Sequence, residues 1–172
     1  ALQFNGGSFN TSTGASSLRF SLGGTSNVAN GYRALYSNTY GSYNTAMGFD
    51  ALYANSTGQE NTAIGAYALH ENTTGLQNTA IGSYAMFYQS FSNNGISWNS
   101  GNTAVGYQAL YRNQPTDVYN GINNTAIGSL SLRNNTNGTE NTGLGYNVLN
   151  ANTTGSQNTA FGNEALRGNI DG

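Results

Sequence analysis

The sequence predicts an all-β fold, a parallel β-solenoid of nine 17-residue coils. Three observations predict it: a short exact period, glycines fixed within that period, and a nearly uncharged composition. The pentapeptide NTAIG or a close variant begins at Asn44, Asn61, Asn78, Asn102, Asn124, Asn141 and Asn158, at spacings of 17, 17, 24, 22, 17 and 17. Stepping back by the same interval reaches NVANG at Asn27 and NTSTG at Asn10, so residues 10–172 hold nine units and residues 1–9 form a lead-in. Two units carry insertions, near 87–101 and 112–123. A period this short does not fit a helical hairpin or a propeller blade and matches one solenoid coil.

The unit reads N-T-A-I-G-Y-x-A-L-Y-x-N-T-T-G-x-Q. Its T-A-I predicts a short strand ended by Gly, and the segment through A-L-Y predicts a second, ended by N-T-T-G turn chemistry. A helix would have to run through Gly at the fifth position of every unit and near the fifteenth of most, at ~1 kcal/mol each relative to Ala, which rejects it. Stacking at the ~4.8 Å strand spacing turns each unit position into a column and nine coils into a rod ~40 Å long.

Two columns are the expected interior. The fourth position holds Met47, Ile64, Ile81, Val105, Ile127, Leu144 and Phe161; the ninth holds Leu18, Leu35, Leu52, Leu69, Met86, Leu110, Leu132, Leu149 and Leu166. Ile64, Ile81, Val105, Ile127, Leu52, Leu69, Leu110 and Leu149 are the core ladders of this reading. Strand alternation then aims the third- and eighth-position alanines, such as Ala63 and Ala68, the other way. That small-residue stripe either admits another backbone or lies beneath a neighbouring turn. Asn at the first and twelfth positions predicts amide ladders from coil to coil.

Composition narrows the chemistry. Charged residues are 7% of the chain, against ~25% in an ordinary domain, with net charge −2 and no basic run. Nothing there neutralises a phosphate backbone or an anionic bilayer, so neither nucleic acid nor membrane insertion is expected. All five cations are Arg and Cys is absent, which removes Schiff bases, the phosphate-loop lysine, thiolate nucleophiles, zinc clusters and disulfides. The acidic residues are scattered, without the clustering that calcium needs, and no nucleophile has a base in view. The expectation is a non-enzymatic protein with no catalytic residue, metal or cofactor. The first residue is Ala and no signal peptide is present, which reads as a processed or excised fragment.

Repetition makes exceptions visible. Both insertions follow the A-L-Y segment in consecutive units and should leave the same edge as neighbouring loops. They carry Phe87, Tyr88, Phe91, the only Trp (Trp98), the only Pro (Pro115), Asp117 and Tyr119. Aromatic faces beside amides suit a sugar or a flat partner surface, so Tyr88, Phe91, Trp98 and Tyr119 are the candidate ligand-binding residues. The competing reading folds these aromatics back over the roll or into a subunit contact. Recurrent tyrosines, among them Tyr32, Tyr36, Tyr53, Tyr67, Tyr84, Tyr107, Tyr111 and Tyr146, form either an adhesive stripe or a packing surface. The Thr73/Thr74 and Thr153/Thr154 pairs invite an ice-binding reading, which Ser56, Gln114 and Asn137 interrupt. Asn-x-Ser/Thr sequons at Asn10, Asn55, Asn72, Asn123, Asn134, Asn137 and Asn152 follow from the N-T-T turn. His70 stands at a position held elsewhere by Tyr, Phe, Arg or Asn and is expected on the surface without a partner.

The NTAIG-x-x-AL core resembles the S-V-A-I-G-x-x-A repeat of YadA-like head domains in trimeric autotransporter adhesins. It is also similar to the NTAIG repeats of bacteriophage tail fibres and bacterial surface fibres. The matching residues are Asn44 to Gly48, Asn61 to Gly65, Asn78 to Gly82, Asn102 to Gly106, Asn124 to Gly128 and Asn158 to Gly162. The resemblance implies a left-handed β-roll, three chains bundled as a homotrimer, and adhesion to a host-surface receptor or glycan from an extracellular, cell-surface or virion location. The unit here is longer than the usual head repeat, Thr replaces the Val before Ala, and no heptad stalk or membrane anchor appears. Other functional classes are a subunit of a self-assembling extracellular filament, an ice-binding solenoid and a carbohydrate-binding module.

Overall fold

A three-residue run between a polar turn and a glycine can hold only a short strand. In the computed structural model, which describes residues 6–91 and 94–172, each unit contributes one such strand, and the units beginning at Asn61 and Asn78 add a two-residue strand each. The strands are β1 (Thr11–Thr13), β2 (Val28–Asn30), β3 (Thr45–Met47), β4 (Thr62–Ile64), β5 (Gly75–Leu76), β6 (Thr79–Ile81), β7 (Trp98–Asn99), β8 (Thr103–Val105), β9 (Thr125–Ile127), β10 (Thr142–Leu144) and β11 (Thr159–Phe161). Nine of them form a single parallel sheet in chain order, β1-β2-β3-β4-β6-β8-β9-β10-β11, while β5 pairs with β7 alone. Register is strict: Thr62 faces Thr79, Ala63 faces Ala80 and Ile64 faces Ile81. This is a parallel β-solenoid, and the described residues contain no helix.

The segment through A-L-Y is not a second strand. It forms two successive turns, with left-handed backbone at the seventh and ninth positions, as at Tyr67 (φ 59°) and Leu69 (φ 51°). Leucine in this region is disfavoured by the approach of Cβ to the following carbonyl, by roughly 1–2 kcal/mol. Coil stacking sustains it: the Leu52 N–H donates to Ala68 O at 3.0 Å in the next coil, and the Tyr67 N–H to Phe49 O at 2.8 Å in the previous one. The turns are hydrogen-bonded between coils much as strands are.

The fifth-position glycines have two reasons to be glycine. Gly48 has φ 145°, and a Cβ there would lie 2.4 Å from the Gly65 carbonyl oxygen, so both conformation and stacking distance exclude a side chain.

The core differs from the expectation in one column. The ninth-position ladder is interior except at the last coil: Leu52, Leu69, Leu110 and Leu149 are fully buried, while Leu166, with no coil stacked beyond it, is 51% exposed. The fourth-position ladder faces out. Ile64 and Ile81 are each 37% exposed and Ile127 is exposed too, with Val105 half-buried. The alanines take the interior instead, and Ala63, Ala68, Ala80 and Ala85 are all fully buried. A three-residue strand directs one residue inward or two, and here its middle residue turns in. The left-handed ninth position lets adjacent residues eight and nine both face inward, so Ala and Leu from the turn already fill the narrow interior and only a methyl fits opposite. Neither reading of an outward alanine stripe holds.

The predicted amide ladders close the remaining side. Asn61 donates its backbone N–H to Asn44 Oδ1 at 3.0 Å and its Nδ2 to the same oxygen at 3.1 Å. It also donates Nδ2 to Gly75 O in its own coil at 2.9 Å. In the twelfth-position ladder, Asn72 Nδ2 reaches Asn55 Oδ1 at 3.0 Å and the same Gly75 carbonyl at 3.2 Å. Both ladders are buried and converge on the fifteenth-position carbonyl, so the polar half of the interior is a connected network. The sequons Asn55, Asn72 and Asn152 are buried ladder members, which closes them to modification in the folded chain.

Candidate interaction surfaces

From β3 onward, with Ala (Gly143 in β10) inward, the strands of the main sheet present their Thr and their apolar residue outward. The result is a straight, uncharged band along the sheet. Met47, Ile64, Ile81, Ile127 and Leu144 line one row, with Val105 half-buried among them, and Phe161 ends it. The parallel row is Thr45, Thr62, Thr79, Thr103, Thr125, Thr142 and Thr159, paired in register. Among the described residues, the hydroxyls of these threonines make no hydrogen bond within the chain. The Thr pairs singled out in the sequence behave differently. Thr74 Oγ1 donates to Phe91 O at 3.1 Å and Thr153 Oγ1 to Ile170 O at 3.3 Å. Thr74 and Thr153 thus belong to the turn network, and the Thr73 hydroxyl is buried without a partner, so the pairs form no exposed hydroxyl array.

A second surface is aromatic. Residues at the tenth position stack coil upon coil: Tyr36 on Tyr53 (centroids 5.1 Å), Tyr53 on His70 (5.0 Å), His70 on Phe87 (4.9 Å) and Phe87 on Tyr111 (5.7 Å). Guanidinium groups close both ends of this column, Arg19 lying 5.9 Å from the Tyr36 centroid and Arg133 5.2 Å from that of Tyr111. Such contacts favour a cation over a ring face. His70 is therefore a half-buried member of the stack, and its Nδ1 lies 2.7 Å from Glu71 Oε1. Beside it, Tyr67 stacks on Tyr84 at 4.9 Å. Arg33 pairs with the buried Asp50, whose hydrogen bond and charge push the guanidinium's ionisation further up. Burial, reinforced by Tyr88, raises the Tyr111 phenol above the usual tyrosine value of 10.0. Of the recurrent tyrosines, Tyr36, Tyr53, Tyr67, Tyr84 and Tyr111 thus pack on neighbouring rings, while Tyr32, Tyr107 and Tyr146 are 47–50% exposed.

The insertions leave one corner of the solenoid, and their bases are adjacent: Asn113 Nδ2 donates to Gln89 Oε1, and Asn102 Nδ2 to Gly121 O at 2.8 Å. The loops then part. The first folds back across earlier coils, with Ser97 Oγ donating to Thr57 O at 3.2 Å and Thr57 Oγ1 to Gly95 O at 3.3 Å. The second closes on itself. Asn120 Oδ1 accepts the N–H groups of Thr116 and Asp117, and Asp117 Oδ1 accepts that of Tyr119.

The four candidate ligand-binding residues consequently do not converge. Trp98, whose strand pairs with Gly75–Leu76, is only 4% exposed and meets Phe91 edge-on at 5.9 Å, so it presents no face to a ligand. Tyr88 packs edge-on against Phe87 and Tyr111 at the rim of the aromatic column. Tyr119 stands at the tip of the second loop, 81% exposed. The described residues form no cavity and contain no group of side chains able to hold a metal ion. The outward Thr/aliphatic band is the surface that sequence reasoning missed; the T-A-I alternation contained it, with inward and outward exchanged. No family model, curated protein or solved structure matches the chain.

Proposed function

We propose that this chain is a non-enzymatic structural and adhesive fibre domain that associates with further copies of itself through the Thr/aliphatic band and displays its loop edge outward. The observation that carries the reading is the band. Its aliphatic residues stack from the third coil to the eighth, the five exposed ones named above being 36–41% exposed, on an uncharged sheet face. A continuous apolar row on the outer face of a sheet marks an interaction surface more often than single exposed apolar residues do. A regular row of this kind is complementary to another copy of itself, and three solenoids meeting along it would bury it completely. The resemblance to adhesin heads and tail fibres points the same way and to an extracellular, cell-surface or virion setting. Receptor or glycan contact then falls to the exposed edge that carries Tyr119. End-to-end growth into a filament is the alternative assembly.

The test is solution mass by light scattering. The 18.0 kDa chain is expected to run as a trimer, and the paired substitution Ile64→Asp with Ile81→Asp to run as a folded monomer. A monodisperse wild-type monomer refutes the proposal. A second reading, ice binding, has one observation in its favour: the free Thr hydroxyls lie in a flat row beside methyl groups, at the repeat of stacked strands. Thermal hysteresis by a monomeric chain would select it, and normal ice growth would remove it.

A further inference from the structure

An Asn–Gly bond is chemically labile when the glycine amide is free to attack the asparagine side chain, and among the described residues one such bond is in that state. Five Asn–Gly pairs occur, at 5–6, 30–31, 94–95, 120–121 and 137–138; Asn5 lies outside the described residues. In three of the others the glycine N–H is held between coils. Gly31 donates to Thr13 O at 2.9 Å, Gly121 to Asn137 O at 3.0 Å and Gly138 to Thr153 O at 3.3 Å. Asn120 is further immobilised through both side-chain atoms, Oδ1 on two backbone amides and Nδ2 on Thr116 Oγ1.

Gly95 differs in each respect. Among the described residues its N–H has no hydrogen-bond partner, and a Cβ added to it would meet nothing within 4 Å. Asn94 is exposed and makes no side-chain hydrogen bond. Both residues have left-handed backbone, φ 48° and 79°, at the outermost part of the first inserted loop.

We infer that Asn94 is a site of spontaneous succinimide formation and deamidation, and the only one of the four described Asn–Gly pairs that reacts without local unfolding. The Gly95 nitrogen, having given its proton to solvent base, attacks Asn94 Cγ. An N–Cγ bond forms, the Cγ–Nδ2 bond breaks and ammonia leaves. Water then opens the cyclic imide at either carbonyl, giving aspartate or isoaspartate. The net change is one water consumed and one ammonia released, with no oxidant or reductant. The product adds a negative charge to a loop whose described residues, Asn94 to Ser97, carry none. In its isoaspartyl form it also lengthens the backbone one residue before Gly95, whose carbonyl is held by Thr57. The first loop would thus change charge and anchorage with age while the coils stay intact.

The experiment incubates the full chain in mildly alkaline buffer, natively and in denaturant. Products are quantified by peptide mass mapping and by isoaspartyl methyltransferase labelling. In the native chain, conversion at Asn94 is expected to run at least about tenfold faster than at Asn30, Asn120 or Asn137, because those amides must first open an inter-coil hydrogen bond. In denaturant the four rates should converge. Asn94→Gln should remove the native signal and leave the denatured signal at the other three. Native rates that are equal at all four sites, or an unconverted Asn94, would overturn the inference.

Discussion

The regular coil at 61–77 and the inserted coil at 78–101 share a strand, a fifth-position glycine and a buried ninth residue, yet they satisfy their polar interiors differently. In the regular coil, Asn61 and Asn72 both donate to Gly75 O and each is bonded to the coil before it. In the inserted coil the twelfth residue is Gln89. Its Oε1 still accepts from Asn102 and Asn113, but its buried Nε2 has no partner, and neither has Trp98 Nε1. Asn78 Nδ2 finds Ser100 Oγ at 2.6 Å in place of a glycine carbonyl. The solenoid therefore admits extra chain at this corner in two ways: the first insertion rewires the hydrogen bonds, while the second keeps them, Asn102 and Asn113 both donating to Gly121 O. At the strand, where backbone meets backbone, all nine coils remain in register.

The largest effect should come from breaking the regular network. Asn61→Ala removes the acceptor of the Asn78 N–H (2.9 Å) and Nδ2 (3.0 Å), together with the two bonds Asn61 Nδ2 donates. It leaves a buried N–H unpaired. An orphaned buried donor costs ~1–3 kcal/mol and each lost bond about 1 kcal/mol, so destabilisation of about 4 kcal/mol is expected in urea unfolding. A loss below about 1 kcal/mol would mean that the ladder is incidental to stability.

A smaller effect should distinguish the two faces of one strand. Ala63→Leu adds volume to a fully buried position against Leu69 and its neighbours, and overpacking of this kind costs about 1–3 kcal/mol. Ile64→Ala, one residue along and facing outward, should change the melting of a monomer little and weaken only self-association. Equal losses at both positions would return the fourth-position ladder to the interior.

That inversion also shows what was legible in the sequence. Period, parallel stacking, buried Leu69 and the Asn61 and Asn72 ladders could be read because nine aligned copies expose every fixed position. The facing of Ala63 and Ile64 could not, since a three-residue strand gives only two phases and hydrophobicity favours the wrong one. The deciding feature is the left-handed conformation of Leu69, which no glycine announces. The partners of His70 were hidden for a related reason: they lie in adjacent coils at the same unit position, so only a column of Tyr53, His70 and Phe87 read together would have suggested a stack. Trp98 looked like an exposed binding residue because insertions interrupt the pattern from which burial is inferred.

The finest test concerns the imperfect coil. Trp98 contributes a large buried ring and an indole N–H that no acceptor meets. Trp98→Phe keeps most of the ring's contact with Phe91 and removes the unpartnered donor. The smaller volume costs some packing, while relief of an unsatisfied polar atom returns about 1–3 kcal/mol. The two nearly cancel, so the expected change is within about 1 kcal/mol of zero in thermal unfolding, against about 3–5 kcal/mol lost for Trp98→Ala. If Trp98→Phe is as damaging as Trp98→Ala, the indole N–H has a partner and the inserted coil is as fully satisfied as the regular one. If it is neutral, the unpartnered Trp98 Nε1 is a real feature of this coil, and the first insertion is accommodated with buried side-chain donors left unpaired, where Asn61 and Asn72 Nδ2 of the regular coil at 61–77 are both bonded.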